Sequence, residues 1–221
     1  VVPTPASLGF ERAAIDGVCA EELSEEEEEE YEEEDDDAED ADFAQEVGDT
    51  VRRALSGGAV QRKDAVDNLA LEINSLKFAQ VRTFADCVLA VVPALLEDVA
   101  AATSVKAKVA ALRQVLERWA CLLPRFVQSK ADERALVTAV VDACRTHDSL
   151  VEVFAHILKG LYDREDDVLG EEAILGWADE TEGAKAGSLE DRLLKQAEGL
   201  LTFLREADEE EDDDDDDDDD E

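Results

Sequence analysis

Residues 67–77 read DNLALEINSLK, and their spacing decides the fold. Leu69, Ile73 and Leu76, with Val66 one turn earlier, recur at intervals of three and four, which gathers them on one face of an α-helix. Asn68, Glu72 and Ser75 stand at i, i+4 and i+7 and form a polar stripe on the opposing face. Asp64 or Asp67 is suited to start this helix. The same period runs outward in both directions. Upstream, Phe43, Val47, Val51 and Leu55 recur every four residues until Gly57-Gly58 stops them. Downstream, residues 81–101 are strongly apolar, with Pro93 placed to kink or divide a helix. Ser104 then leads a helix through Val105, Val109, Leu112, Leu116 and Trp119, broken at Pro124.

Beyond it, Asp132 can cap a helix carrying Leu136, Ala139, Val140 and Ala143, and Ser149 can cap one carrying Val153, Ile157 and Leu161. A further helix through Val168 to Trp177 ends in the glycine-containing stretch 183–187. Ser188 with Asp191 forms a capping box with a shortened acid and opens the last helix, through Leu189, Leu193, Ala197, Leu200 and Leu204. No segment alternates with the period of two that a strand requires. The chain is therefore predicted to be all-α: about eight helices joined by short turns, stacked as antiparallel pairs of the HEAT type. A four-helix bundle would have fewer and longer helices.

Charge sets the domain limits. Residues 21–42 and 206–221 hold 17 and 15 of the 60 acidic residues, so most of the net charge of -39 belongs to two flanks. Runs of like charge repel themselves and bury no apolar surface, so both are expected to be disordered until a basic partner arrives. The predicted organisation is a linker and disordered acidic segment over 1–41, a helical domain over 42–207 and a disordered acidic tail over 208–221. The chain contains no methionine, and it is expected to be the C-terminal piece of something longer.

The same composition excludes several classes of function. Duplex affinity depends on Lys and Arg neutralising phosphates, so nucleic acid is not expected as a direct ligand. No apolar run approaches the roughly 18 residues needed to span a bilayer, so no membrane partner is expected. Cys19, Cys87, Cys121 and Cys144 are too widely spaced for a zinc site and read as reduced, buried thiols. An unbroken run such as Asp212 to Asp220 lacks the spaced ligands and turn glycine of a calcium loop. The two histidines, His147 and His156, fall on different predicted helices, and no nucleotide-binding fingerprint appears. No metal, cofactor or covalent chemistry is expected.

Two combinations stand out. The stripe Asn68, Glu72 and Ser75 reads first as a solvated helix face. Trp177, followed by Asp179 and Glu180, and Phe203, leading into the terminal polyacid, each put a ring beside dense carboxylate, an arrangement suited to a lysine-rich peptide. Trp177 reads equally well as core.

DNLALEINSLKFA after an acidic stretch, AILGWADE late in the chain and a closing LLTFLREADEEEDDD together resemble the C-terminal region of the epsilon subunits of eukaryotic initiation factor 2B. The resemblance covers roughly residues 42–211, and LEINSLK is its most specific part. It implies a HEAT domain that promotes guanine-nucleotide exchange on the GTPase initiation factor 2, in the cytosol and without covalent chemistry. Glu72 matches the family's glutamate required for exchange and is expected to engage the partner's gamma subunit, with Asn68 and Ser75 beside it. Trp177 with Glu171, Glu172, Asp179 and Glu180 matches a first aromatic-acidic box. Phe203 with Glu206, Asp208, Glu209, Glu210 and Glu211 matches a second, which takes the lysine-rich tail of the partner's beta subunit. The family commonly has tryptophan where this chain has Phe203, and phenylalanine lacks the indole donor and some cation-π strength. The resemblance also implies contacts with other factor 2B subunits through upstream domains. Two competing readings are a binding module without exchange activity, like the C-terminal domain of initiation factor 5, and an acidic protein of the histone-chaperone kind.

Overall fold

Helices account for every regular element among the described residues, which in this computed structural model are 30–56, 63–164 and 168–212. Eight are α-helices: α1 (Glu30–Ser56), α2 (Lys63–Ala79), α3 (Phe84–Ala101), α4 (Val105–Trp119), α5 (Lys130–Thr146), α6 (Phe154–Tyr162), α7 (Glu171–Thr181) and α8 (Leu189–Asp212). Short 3₁₀ helices at Ala120–Arg125 and Asp148–Val153 lead out of α4 and into α6. The chain divides into two units, Val1–Asp37 and Ala38–Glu221. Of the first, the described residues are the opening turns of α1.

Within the second unit the helices form two layers. α3, α5 and α7 lie side by side, as do α4, α6 and α8, and each odd-numbered helix of this series also packs on the even-numbered one that follows it. Three helix hairpins are thus stacked, as the HEAT-type prediction requires. The shared core contains the fully buried Trp119, Phe126, Leu136, Phe154, Ile157 and Leu204. α1 joins through the buried Phe43, Val47 and Val51, and Arg52 bridges to Glu97 of α3 at 2.7 Å. The apolar faces of α1 and α2 are those expected from their periodicity. No described helix is long and apolar enough to cross a membrane.

Several predicted starts and stops move. α2 begins at Lys63, so Asp64 lies in its first turn and Asp67 inside the helix, where its carboxylate pairs with Arg125 at 2.6 Å. α3 runs through Pro93 undivided. The carbonyl that loses its donor to proline belongs to Leu89, on the exposed side, where water can replace the missing N–H. Pro124 lies inside the 3₁₀ helix that terminates α4. Ser129, not Asp132, is the N-cap of α5. Its hydroxyl accepts from Asp132 N at 3.3 Å and donates to the Asp132 carboxylate at 2.8 Å. Asp132 is the third residue of that helix and also accepts from Gln128 N at 3.1 Å.

Ser149 caps nothing, because the chain enters α6 through a 3₁₀ turn, and its hydroxyl donates instead to Ala100 O of α3 at 3.0 Å. Val168 is buried ahead of α7, which begins only at Glu171. Asp191 N donates to Ser188 Oγ at 3.2 Å, but the Asp191 carboxylate accepts from Gly187 N at 2.7 Å, one residue further back than in the predicted box. That carboxylate is held below its ordinary range, first by Lys195 and then by Gly187. α1 is helical from Glu30 and α8 continues to Asp212, inside stretches expected to be disordered. The rest of those stretches, 1–29 and 213–221, lies outside the described residues, as do Gly57 and Gly58. Cys87 and Cys144 are buried, and burial pushes both thiols up to about 12. Cys121 is exposed because the 3₁₀ turn after Trp119 rotates it outward, against the buried reading. Cys19 lies outside the described residues.

Candidate functional site

α2 turns Val66, Leu69, Ala70 and Ile73 into the core and presents Asn68, Leu71, Glu72, Ser75 and Phe78 outward. The Glu72 side chain is 58% exposed, and its carboxylate stands 4.0 Å from the Arg53 guanidinium of α1, the outer limit of an ion pair. Ser75 Oγ donates to Leu71 O at 2.8 Å, which holds the hydroxyl against its own helix. The helix is fixed from below: Arg125 grips Asp67, and Lys77, although buried, keeps its ammonium 3.9 Å from the Phe78 ring centroid and 4.3 Å from that of Phe84. Such placement over two ring faces gives a desolvated cation an electrostatic partner other than carboxylate.

The outward face also holds apolar side chains that the sequence analysis did not single out. Leu71 is 65% exposed, Phe78 is 72% exposed, and Val81, in the turn that follows, is 90% exposed. The signal was present, since Leu71, Ser75 and Phe78 share the i, i+4, i+7 spacing of one stripe out of phase with Leu69 and Ile73. Glu72 therefore lies in a mixed surface, one carboxylate among uncovered apolar groups.

The second group of candidates lies on α7 and α8, which pack on each other. Trp177 is partly buried, its ring 5.1 Å from the fully buried Phe154 ring and tilted by 58°. It is neither wholly core nor a free anchor. Glu171 and Glu172 occupy the first turn of α7, where the helix dipole favours negative charge, and Glu172 lies 3.7 Å from Lys130. Asp179 pairs with Arg205 of α8 at 2.9 Å, which ties the first aromatic-acidic segment to the second, while Glu180 is exposed. Phe203 is 52% exposed on α8, with Glu206 exposed one turn further on. Asp208, Glu209, Glu210 and Glu211 belong to the described backbone of α8, but their side chains lie outside what is described.

α7 and α8 thus gather Glu171, Glu172, Trp177, Asp179, Glu180, Phe203 and Glu206. Glu72, Asn68 and Ser75 lie on α2, which packs on α3 and the 3₁₀ helix after α4 and meets α1 through Arg53. These are two surfaces. One is a carboxylate among apolar groups, and the other is a pair of rings bordered by acids.

Residues 132–214 match the family model W2, described as eIF4-gamma/eIF5/eIF2-epsilon, which takes in both aromatic-acidic segments and leaves out Glu72. Over 172 residues the chain is 35% identical to translation initiation factor eIF2B subunit epsilon of Dictyostelium discoideum. That alignment covers 76% of this chain and 23% of the relative, so the chain spans about a quarter of the relative's length. Residues 132–214 thus match a W2 domain, and over three quarters of its length the chain is similar to the epsilon subunit of translation initiation factor eIF2B.

Proposed function

We propose that this chain promotes GDP release from the GTPase initiation factor 2, with Glu72 as the group that acts on the nucleotide-binding subunit and the two aromatic-acidic segments as the anchor for a lysine-rich tail. The supporting observation is the character of the α2 face: an exposed, weakly paired carboxylate amid the uncovered Leu71 and Phe78. Apolar groups left uncovered beside a charge suit a protein partner better than solvent. Exchange of this kind makes no bond to substrate. A factor accelerates release only by binding the nucleotide-free GTPase better than the GDP-bound one, and a carboxylate achieves that by competing with phosphate or by disturbing Mg²⁺ coordination. The site of action is cytosolic in this reading, and the other partners are further subunits of the same factor.

The test is Glu72→Ala, followed by GDP release and by pull-down on a lysine-rich tail. An exposed helix glutamate contributes less than about 0.5 kcal/mol to stability, since alanine is the better helix former and little packing is lost. The variant is expected to fold and to hold the tail while losing most of its acceleration of GDP release. Undiminished exchange by the folded variant would remove the role given to Glu72. It would favour the second reading, a tail-binding module without exchange activity. That reading draws support from the W2 match, which takes in both aromatic-acidic segments.

A further inference from the structure

One face of the Phe203 ring already holds a cation. Lys159 Nζ of α6 stands 5.7 Å from the ring centroid, within cation-π range, and its other partner is Asp163, one turn along the same helix at 3.0 Å. Lys159 and Phe203 border a groove of about 390 Å³ between α6 and α8, along which His156, Gly199 and Leu200 also lie. Among the described residues no carboxylate lines it. Gly199 precedes Phe203 by one helical turn and so shares its face of α8. A Cβ built on Gly199 meets nothing within 4 Å, so no neighbour in the described structure requires a glycine there. A glycine inside a helix is costly relative to alanine, and here its effect is to leave the groove open beside the ring.

We infer that Lys159 is an internal competitor for the Phe203 ring, and that a lysine-rich partner segment binds in the α6–α8 groove, passing over Gly199, by displacing it. The inference rests on the reading above that this aromatic-acidic segment takes lysines. Asp163 makes the exchange feasible, because a displaced Lys159 ammonium keeps an ion-pair partner. While Lys159 covers the ring, only a fraction of the protein is binding-competent, and the apparent affinity falls by that fraction. The competitor thereby favours tails with several lysines over a single stray cation, since only the former combine displacement with the surrounding acidic charge.

The experiment is a titration of the 221-residue chain with a fluorescent oligolysine peptide, alongside thermal melts. Lys159→Gln is expected to tighten binding about two- to fivefold, the range that corresponds to an exposed cation-π contact. Lys159→Arg, which keeps a cation over the ring, is expected to bind like the parent chain. Lys195→Gln removes the same charge from the exposed surface of α8 and is expected to give a smaller gain. Gly199→Ala is expected to raise the melting temperature and weaken the peptide, two changes that a purely structural role would not produce together. Equal gains from Lys159→Gln and Lys195→Gln, or no gain from Lys159→Gln while binding still depends on Phe203, would overturn the inference. If Phe203→Ala binds like the parent chain, the lysine-binding reading itself fails.

Discussion

At the residue scale the most informative departure from ordinary backbone is Val81. Its φ of 55° is left-handed, a conformation that crowds the Cβ of any L-residue and a β-branched one most. The surrounding bonds show what imposes it: Arg82 N donates to Lys77 O at 2.8 Å and Gln80 N to Leu76 O at 3.0 Å, which closes α2 with Val81 where glycine usually stands. Val81→Gly is expected to relieve the strain and lose part of the gain to unfolded-chain entropy, for a net stabilisation of about 0.5–1 kcal/mol read from the urea midpoint. An unchanged or lower midpoint would mean that the valine side chain contributes packing despite its exposure. Nothing in the sequence announced this residue. A valine after Gln80 reads as the start of the apolar run 81–101, and only the termination geometry of α2 reverses that reading.

The elements were legible where periodicity was long and obscure where it was brief. Phe43, Val47 and Val51, like Leu69 and Ile73, each commit a whole helical face, and that face is buried as expected because no alternative arrangement covers it. Caps depend on single hydroxyls and carboxylates, and Ser149 illustrates the difficulty: it has the composition of a cap, but its hydroxyl is taken by Ala100 O across the stack. The aromatic segments are intermediate. Composition identified Trp177 and Phe203, but sequence could not divide Trp177 between core and surface, because the tilt against Phe154 that buries one part of the ring is a tertiary fact. Trp177→Ala should therefore lose both roles at once, costing about 2–3 kcal/mol, less than the 3–5 of a fully buried ring, together with affinity for a lysine-rich peptide. Trp177→Phe is the separating variant: it is expected to recover most of the stability and only part of the affinity, because the smaller ring is the weaker cation-π partner. Thermal melts and peptide titration on both proteins check this, and full recovery of affinity by phenylalanine would reduce the role of Trp177 to packing.

For the whole molecule, charge and fold are separable. Residues 43–205 contain 20 basic and 26 acidic residues, close to balance, and most ion pairs that join elements, such as Arg52 to Glu97 and Arg192 to Asp148, draw on that body, with Asp40 of the first acidic run adding a pair to Arg82. The final residues 213–221 are all acidic and follow the last described turn of α8. Exposed ion pairs contribute about 0–1 kcal/mol each and are screened beyond about 10 Å at 0.1 M salt, so a run of this kind affects the encounter with a basic partner more than the docked contact. Steering by such a field raises the association rate and falls steeply with ionic strength, whereas dissociation reflects the close contacts at the rings. Removing residues 213–221 is therefore expected to leave the melting temperature unchanged, to slow association with a lysine-rich peptide at low salt, and to flatten the dependence of affinity on salt. The dissociation rate should stay near that of the full chain, because Trp177, Phe203 and the Asp179–Arg205 tie between their helices are all retained. Stopped-flow association over a salt series measures each of these quantities, and an unchanged salt slope would place the steering charge in the body or the first acidic run instead.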